Sequence, residues 1–187
     1  MNIMVVGVGG QGTLLTSRII GKTALAKGYD VKLSEVHGMA QRGGSVVTFV
    51  RFGEKVSEPV VEEGAVDVLI SFERLEALRY AHYLKKDGVL IVNDCKIEPM
   101  TVVTGAKTYP EGIIEGLKEN HTVHTIDGKK IANELGNSKV LNSVVLGLSA
   151  KHIGFNESDW IQTIEKTVPP KTIEINKQAF IAGYNNK

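Results

Sequence analysis

The sequence predicts an α/β fold, a mostly parallel sheet flanked by helices, on three observations. Residues 3–8 form an apolar run that leads into the glycine-bearing stretch Gly7-Val-Gly-Gly-Gln-Gly12. Such a run, stopped by turn residues, suits a strand buried on both faces. Residues 13–27 then lack proline and, apart from Gly21, glycine, and they stop at Gly28, a natural helix end. Further on, residues 67–72, 73–86 and 88–93 read as strand, helix and strand, a unit that makes a parallel crossover, with Asp87-Gly88 closing its helix.

The second strand is expected over residues 29–36, where apolar and polar residues alternate, and the third over the valine- and phenylalanine-rich residues 45–52. Between them lies a second glycine-bearing stretch, His37-Gly-Met-Ala-Gln-Arg-Gly-Gly44. It is too short for a crossover helix, because parallel neighbours need a connection of about a dozen residues or more. The connection from strand two to strand three is therefore non-standard, and strand three is a hairpin or an edge partner. A helix is expected over 110–120, with proline in its first turn, then a strand over 121–127 and a short helix over 129–135. Leu141, Val144, Val145 and Leu148 recur at the spacing of one helical face. Asn156 reads as an N-cap, with Phe155 and Trp160 as a hydrophobic staple around it. Pro169-Pro170 ends that helix, and residues 172–184 form a last one. No repeat, low-complexity tract or linker divides the 187 residues, so a single domain is expected over 1–187.

A net charge of +1, without runs of like charge, argues against nucleic acid as a partner. The lone cysteine, Cys95, excludes an internal disulfide and cannot supply the roughly four thiolates of an iron–sulfur cluster. It reads as a small, partly buried residue after a strand. His37, His82, His121, His124 and His152 lack metal-ligand spacing, and His121 and His124 are out of phase along a strand. No metal site is expected. No stretch approaches the ~18 apolar residues of a membrane span, and the apolar start lacks a basic leader, so a soluble, cytoplasmic chain is expected.

Gly7, Gly9 and Gly12 satisfy the GxGxxG pattern of Rossmann-like folds, between a strand and a helix. Glycines let the backbone approach a phosphate, and the helix N-terminus offers free N–H groups. Gly7, Gly9, Gly10, Gln11 and Gly12 are thus candidate ligand-binding residues; a tight turn that binds nothing is the alternative. A nicotinamide site also needs an acidic residue about 20 positions on. Glu35 qualifies, but the missing crossover argues against a nicotinamide dehydrogenase. Gly21-Lys22-Thr23 matches only the tail of a P-loop, since Thr16 stands where its first glycine belongs.

The second stretch adds His37, Gln41, Arg42, Gly43 and Gly44: a ring, an amide, a guanidinium that can fork onto a carboxylate or phosphate, and glycines that expose backbone N–H groups. A surface turn that satisfies its own backbone is the alternative. Read as following adjacent strands, the two loops would line one crevice at the carboxyl edge of the sheet. On the first helix, Arg18 and Lys22 form either a partner-facing patch or a solvated cationic face.

Together, Gly7-Val-Gly-Gly-Gln-Gly12 and Ser34-Glu-Val-His-Gly-Met-Ala-Gln-Arg-Gly-Gly-Ser-Val46 resemble the gamma-type subunit of 2-oxoacid:ferredoxin oxidoreductases. The fuller His-Gly-Met-Ala-Gln-Arg-Gly-Gly string points to the small (beta) subunit of the indolepyruvate branch. The likeness is densest over residues 3–53 and runs more loosely through 67–94 and 141–147, where Asn142 and Gly147 fit the pattern. The resemblance implies a subunit of an enzyme that oxidatively decarboxylates arylpyruvates to acyl-coenzyme A and passes electrons to ferredoxin. It also implies thiamine diphosphate and iron–sulfur clusters on a larger partner subunit, coenzyme A as co-substrate, no catalytic residue on this chain, and no activity without the partner. Gamma subunits of pyruvate, 2-oxoglutarate or branched-chain 2-oxoacid oxidoreductases are alternatives, as is a stand-alone module that binds coenzyme A or another nucleotide.

Overall fold

The computed structural model describes residues 1–37 and 44–186, and of His37 the backbone alone. Its strands are β1 (Asn2–Val8), β2 (Asp30–His37), β3 (Ser45–Gly53), β4 (Val66–Ser71), β5 (Leu84–Asn93) and β6 (Thr122–Ile126). Its helices are α1 (Thr13–Ala26), α2 (Arg74–Tyr80), α3 (Met100–Val103), α4 (Ile113–Asn120), α5 (Gly128–Glu134), α6 (Leu141–Ala150), α7 (Glu157–Glu165) and α8 (Ile173–Tyr184).

One sheet runs in the order β2-β3-β1-β4-β5-β6. β1, β4, β5 and β6 pair in parallel, whereas β3 is antiparallel to both β1 and β2. The apolar run of β1 follows from this central place. Ile3 and Val5 face a core shared with α1, α6 and α8, and Met4 and Val6 face a second core shared with α2 and α4. All four are fully buried.

The short second connection is resolved as a hairpin. β2 and β3 pair in register from Asp30 opposite Gly53 to His37 opposite Val46. β3 is not an edge strand: it lies between β2 and β1, and β2 holds the edge. β1 and β2 are therefore not neighbours, which corrects the expectation that both loops follow adjacent strands.

Another correction concerns residues 73–86. α2 stops at Tyr80, a single 3-10 turn covers Ala81–Tyr83, and β5 already begins at Leu84. Asp87-Gly88 lies inside β5 and closes no helix. The register jumps there, with Val66 opposite Leu84 but Val68 opposite Val89. The chain bulges outward at Lys85, Lys86 and Asp87 and is drawn back at Gly88, where a Cβ would lie 2.9 Å from the Val66 carbonyl oxygen. Strand pairing outweighs the helical preference of the Leu-Lys-Lys run, and Lys85 Nζ secures the excursion by meeting Asp67 Oδ1 at 2.5 Å.

The face expected over Leu141–Leu148 is too narrow a description of α6, because every residue from Asn142 to Ala150 is buried. α6 is wrapped by the sheet on one side and by α8 on the other. At the α7 start, Asp159 Oδ2 accepts from the Asn156 N–H at 3.3 Å, and the rings of Phe155 and Trp160 lie 5.6 Å apart, so cap and staple form as expected. Among the described residues no helix is long and apolar enough to cross a membrane.

Candidate functional site at the carboxyl edge of the sheet

The chain leaves β1 toward β2 on one side of the sheet and later returns to β4 on the other side of β1. The gap between β1 and β4 is thus the topological switch point, the place where α/β sheets accept ligands. The glycine turn sits there. Gly10 and Gly12 have φ of 102° and 86°, a left-handed conformation that strongly favours glycine. A Cβ on Gly12 would lie 3.0 Å from that of Asn142, at the start of α6. Among the described residues, a Cβ on Gly10 would meet nothing within 4 Å. α1 begins at Thr13 with no acidic residue in its first turn, leaving the positive end of its dipole uncompensated there.

Gln11 does something the sequence did not reveal. Its Oε1 accepts from the Val8 N–H at 2.7 Å, and its Nε2 donates to the Phe72 carbonyl at 2.9 Å. The side chain therefore stitches the end of β1 to the end of β4. Asn93 continues the seam: Nδ2 donates to the same Phe72 carbonyl at 3.1 Å, and Oδ1 accepts from the Gly128 N–H at 2.9 Å. Three parallel strand ends and the start of α5 are joined by two amide side chains.

The second glycine stretch reaches the turn through its last residue. The Gly9 N–H donates to the Gly44 carbonyl at 2.9 Å, and Ser45 lies directly opposite Val8. Among the described residues, contact between the two stretches comes from the start of β3. Gln41, Arg42 and Gly43, together with the side chain of His37, lie outside the described residues.

On the α2 side of the same edge, a cleft of about 210 Å³ is lined by Val8, Ser45, Glu73, Glu76, Arg79 and Ile97. Glu73 caps α2 and is buried: its carboxylate accepts from the N–H groups of Glu76 at 3.0 Å and Ile97 at 3.1 Å, and from the Tyr109 hydroxyl at 2.5 Å. Burial, followed by the bond to Glu73, pushes the Tyr109 phenol far above its ordinary range, so it stays protonated. A larger cavity of about 740 Å³ lies farther along the edge; four of its charged side chains pair off, Arg74 with Asp94 and Lys96 with Glu98. The smaller cleft abuts the glycine turn and is the more relevant one.

The remaining sequence candidates fall away from this edge. Glu35 is on β2, two strand spacings or roughly 9–10 Å from β1, so it is not beside the turn as a ribose-binding acid would be. Lys22 Nζ donates to Thr167 Oγ1 at 3.3 Å, which ties α1 to the end of α7, while Arg18 is exposed. Cys95 is half-buried, and burial, then the Glu73 carboxylate, push its thiol pKa up, which disfavours the thiolate. Among the described residues no group of three or more His, Cys, Asp or Glu side chains could hold a metal.

The family model for pyruvate ferredoxin/flavodoxin oxidoreductases matches residues 2–186, both glycine stretches included. The chain belongs to this family. Indolepyruvate oxidoreductase subunit IorB from Thermococcus kodakarensis is 43% identical to it over 190 residues, covering 97% of this chain and 93% of that one. Among solved structures, the pyruvate oxidoreductase subunit PORC of Thermotoga maritima superposes with a TM-score of 0.73 at 23% identity, covering 100% of this chain and 96% of that one. The 2-oxoglutarate:ferredoxin oxidoreductase of Magnetococcus marinus, solved with 2-oxoglutarate, coenzyme A and succinyl-CoA bound, gives 0.72 at 18% identity. This chain matches 30% of that longer one through 98% of its own length. At such identities the structural likeness establishes the fold alone.

Proposed function

We propose that the chain is the small subunit of a cytoplasmic 2-oxoacid:ferredoxin oxidoreductase that acts on indolepyruvate or a related arylpyruvate. The observation that carries this reading is the 43% identity, over nearly the whole of both chains, to a subunit of that name. The reaction joins a 2-oxoacid and coenzyme A to give acyl-coenzyme A and carbon dioxide, with two electrons passed singly to ferredoxin. Thiamine diphosphate and iron–sulfur clusters, which supply the decarboxylation and electron-transfer chemistry, are assigned to a larger partner subunit. This chain's share is to complete the assembly and to seat an anionic group at the carboxyl edge.

The turn fits that share. Among the described residues nothing crowds Gly10, Gly12 starts α1, and Gly9 is tied to Gly44. Gly7 leaves room for the amide of Gln11, which shapes the seat without occupying it. In this reading His37, Gln41, Arg42 and Gly43 complete the crevice around a coenzyme A phosphate, Arg42 by forking onto two oxygens.

Co-expression with the large subunit tests the reading. The pair should reduce a viologen dye when given both indolepyruvate and coenzyme A, and neither chain should do so alone. Turnover by the isolated chain would overturn it, and equal rates on pyruvate or 2-oxoglutarate would move it to another branch. Arg42→Ala should raise the KM for coenzyme A about tenfold, the scale of one charge-assisted bond.

A further inference from the structure

Glu76 is an unusual residue for its place: a carboxylate on a short helix at the sheet edge, only 4% exposed. Its Oε2 accepts from the Ser45 hydroxyl at 2.5 Å, and its Oε1 accepts from Arg79 Nε at 3.2 Å. The Ser45 hydroxyl lies 3.1 Å from the Tyr80 hydroxyl. Four side chains thus form one polar chain, Tyr80–Ser45–Glu76–Arg79, that straps α2 to the first residue of β3.

Stability explains this strap poorly. In the Glu76–Arg79 pair the arginine is half exposed, and ion pairs open to solvent contribute little net, while well-packed apolar side chains often do as well as a buried carboxylate. Location explains it better. Ser45 follows Gly44, whose carbonyl receives the Gly9 N–H, and Ser45 stands opposite Val8, where β1 gives way to the glycine turn. Whatever holds Ser45 therefore holds the point at which the second glycine stretch rejoins the sheet beside the first.

We propose that Glu76 is a positioning residue for the glycine turn, acting through Ser45 to hold the Gly44 carbonyl against the Gly9 N–H. The proposal rests on the reading that this turn takes the anionic end of coenzyme A, and it assigns the placing of the turn to a residue outside it. Glu76 itself does not touch the ligand.

The test uses the chain co-purified with its large subunit, titrated calorimetrically with coenzyme A in the absence of 2-oxoacid and, separately, with inorganic pyrophosphate. Glu76→Gln keeps the shape but lacks the charge, and Ser45→Ala removes the other end of the same bond. Each should weaken both probes at least fivefold. The double variant should be no weaker than the worse single one, as for two residues acting through one contact. Glu76→Asp, which retains the carboxylate, should recover part of the loss. The KM for coenzyme A should rise in step with the calorimetric Kd. Unchanged affinities accompanied only by a lower unfolding midpoint would show a merely structural strap and overturn the proposal. Multiplying effects in the double variant, or no binding of either probe by the wild-type complex, would overturn it too. A complex that binds coenzyme A normally but shows no indolepyruvate-dependent reduction would sink the substrate reading and leave this one standing.

Discussion

At the scale of single residues, the turn is held by side chains as much as by its glycines. Gln11→Ala removes two hydrogen bonds and leaves the Val8 N–H without its partner. The expected cost is about 1–3 kcal/mol, read as a lower urea midpoint at unchanged slope. Tyr109→Phe takes one donor from the buried Glu73 carboxylate, and about 1.5–3 kcal/mol should be lost by the same assay, as for a bond to a charged group. Legibility in the sequence divides along these lines. The glycines were readable, because positive φ and close approach demand that residue type and little else does. Gln11 stands out in the sequence as a candidate ligand-binding residue, but its bracing role is not legible there, since its partner Phe72 is 61 positions away. Glu73 and Glu76 left no signal at all. Their partners Tyr109 and Ser45 are 36 and 31 positions away, and nothing in a local window marks a buried glutamate.

At the scale of elements, two glycines inside helices behave in opposite ways. α6 and α8 cross so closely that a Cβ on Gly147 would fall 2.1 Å from the Phe180 carbonyl oxygen. Gly147→Ala must push the helices apart, and a loss of about 3 kcal/mol or more is expected, seen as a collapsed thermal midpoint or insoluble protein. Gly21 in α1 meets only Val31 Cγ1, at 3.5 Å. Gly21→Ala should therefore raise stability by roughly 0.5–1 kcal/mol through helix propensity. The His152 ring, 4.5 Å from that of His124, adds a pH dependence. Burial, then the nearby His124 and Lys151, lower its pKa below the ordinary value. The unfolded chain then takes up the proton first, so stability is full above about pH 6.5 and declines as pH falls toward the folded-state pKa. Urea midpoints between pH 7.5 and 5.5 should fall less in His152→Gln than in the wild type. Periodicity located most elements, and it failed where pairing with a distant strand decided the outcome. Residues 84–88 have helical composition, but Val66 claims Leu84 for the sheet.

At the scale of the whole molecule, strand order decides what the crevice can accept. With β3 between β1 and β2, the acid at the end of β2 stands one strand too far from the turn for the ribose of a dinucleotide. NAD should give no saturable thermal shift, and Glu35→Gln should change nothing in that titration. Saturable binding lost in that variant would contradict the topology argument. The hairpin behind this strand order was legible from the brevity of residues 38–44. The position of β3 was not, because connection length limits which strands can be joined in parallel but does not say on which side the hairpin docks.

The carbonyl of Phe72, gripped by the amides of both Gln11 and Asn93, also bears on the thermodynamics of ligand capture. A loop already braced from within surrenders little freedom when it closes on a guest. Capture at this turn should therefore incur only a small entropic penalty from the protein, with tightness governed mainly by how well the incoming group matches a seat that is rigid beforehand.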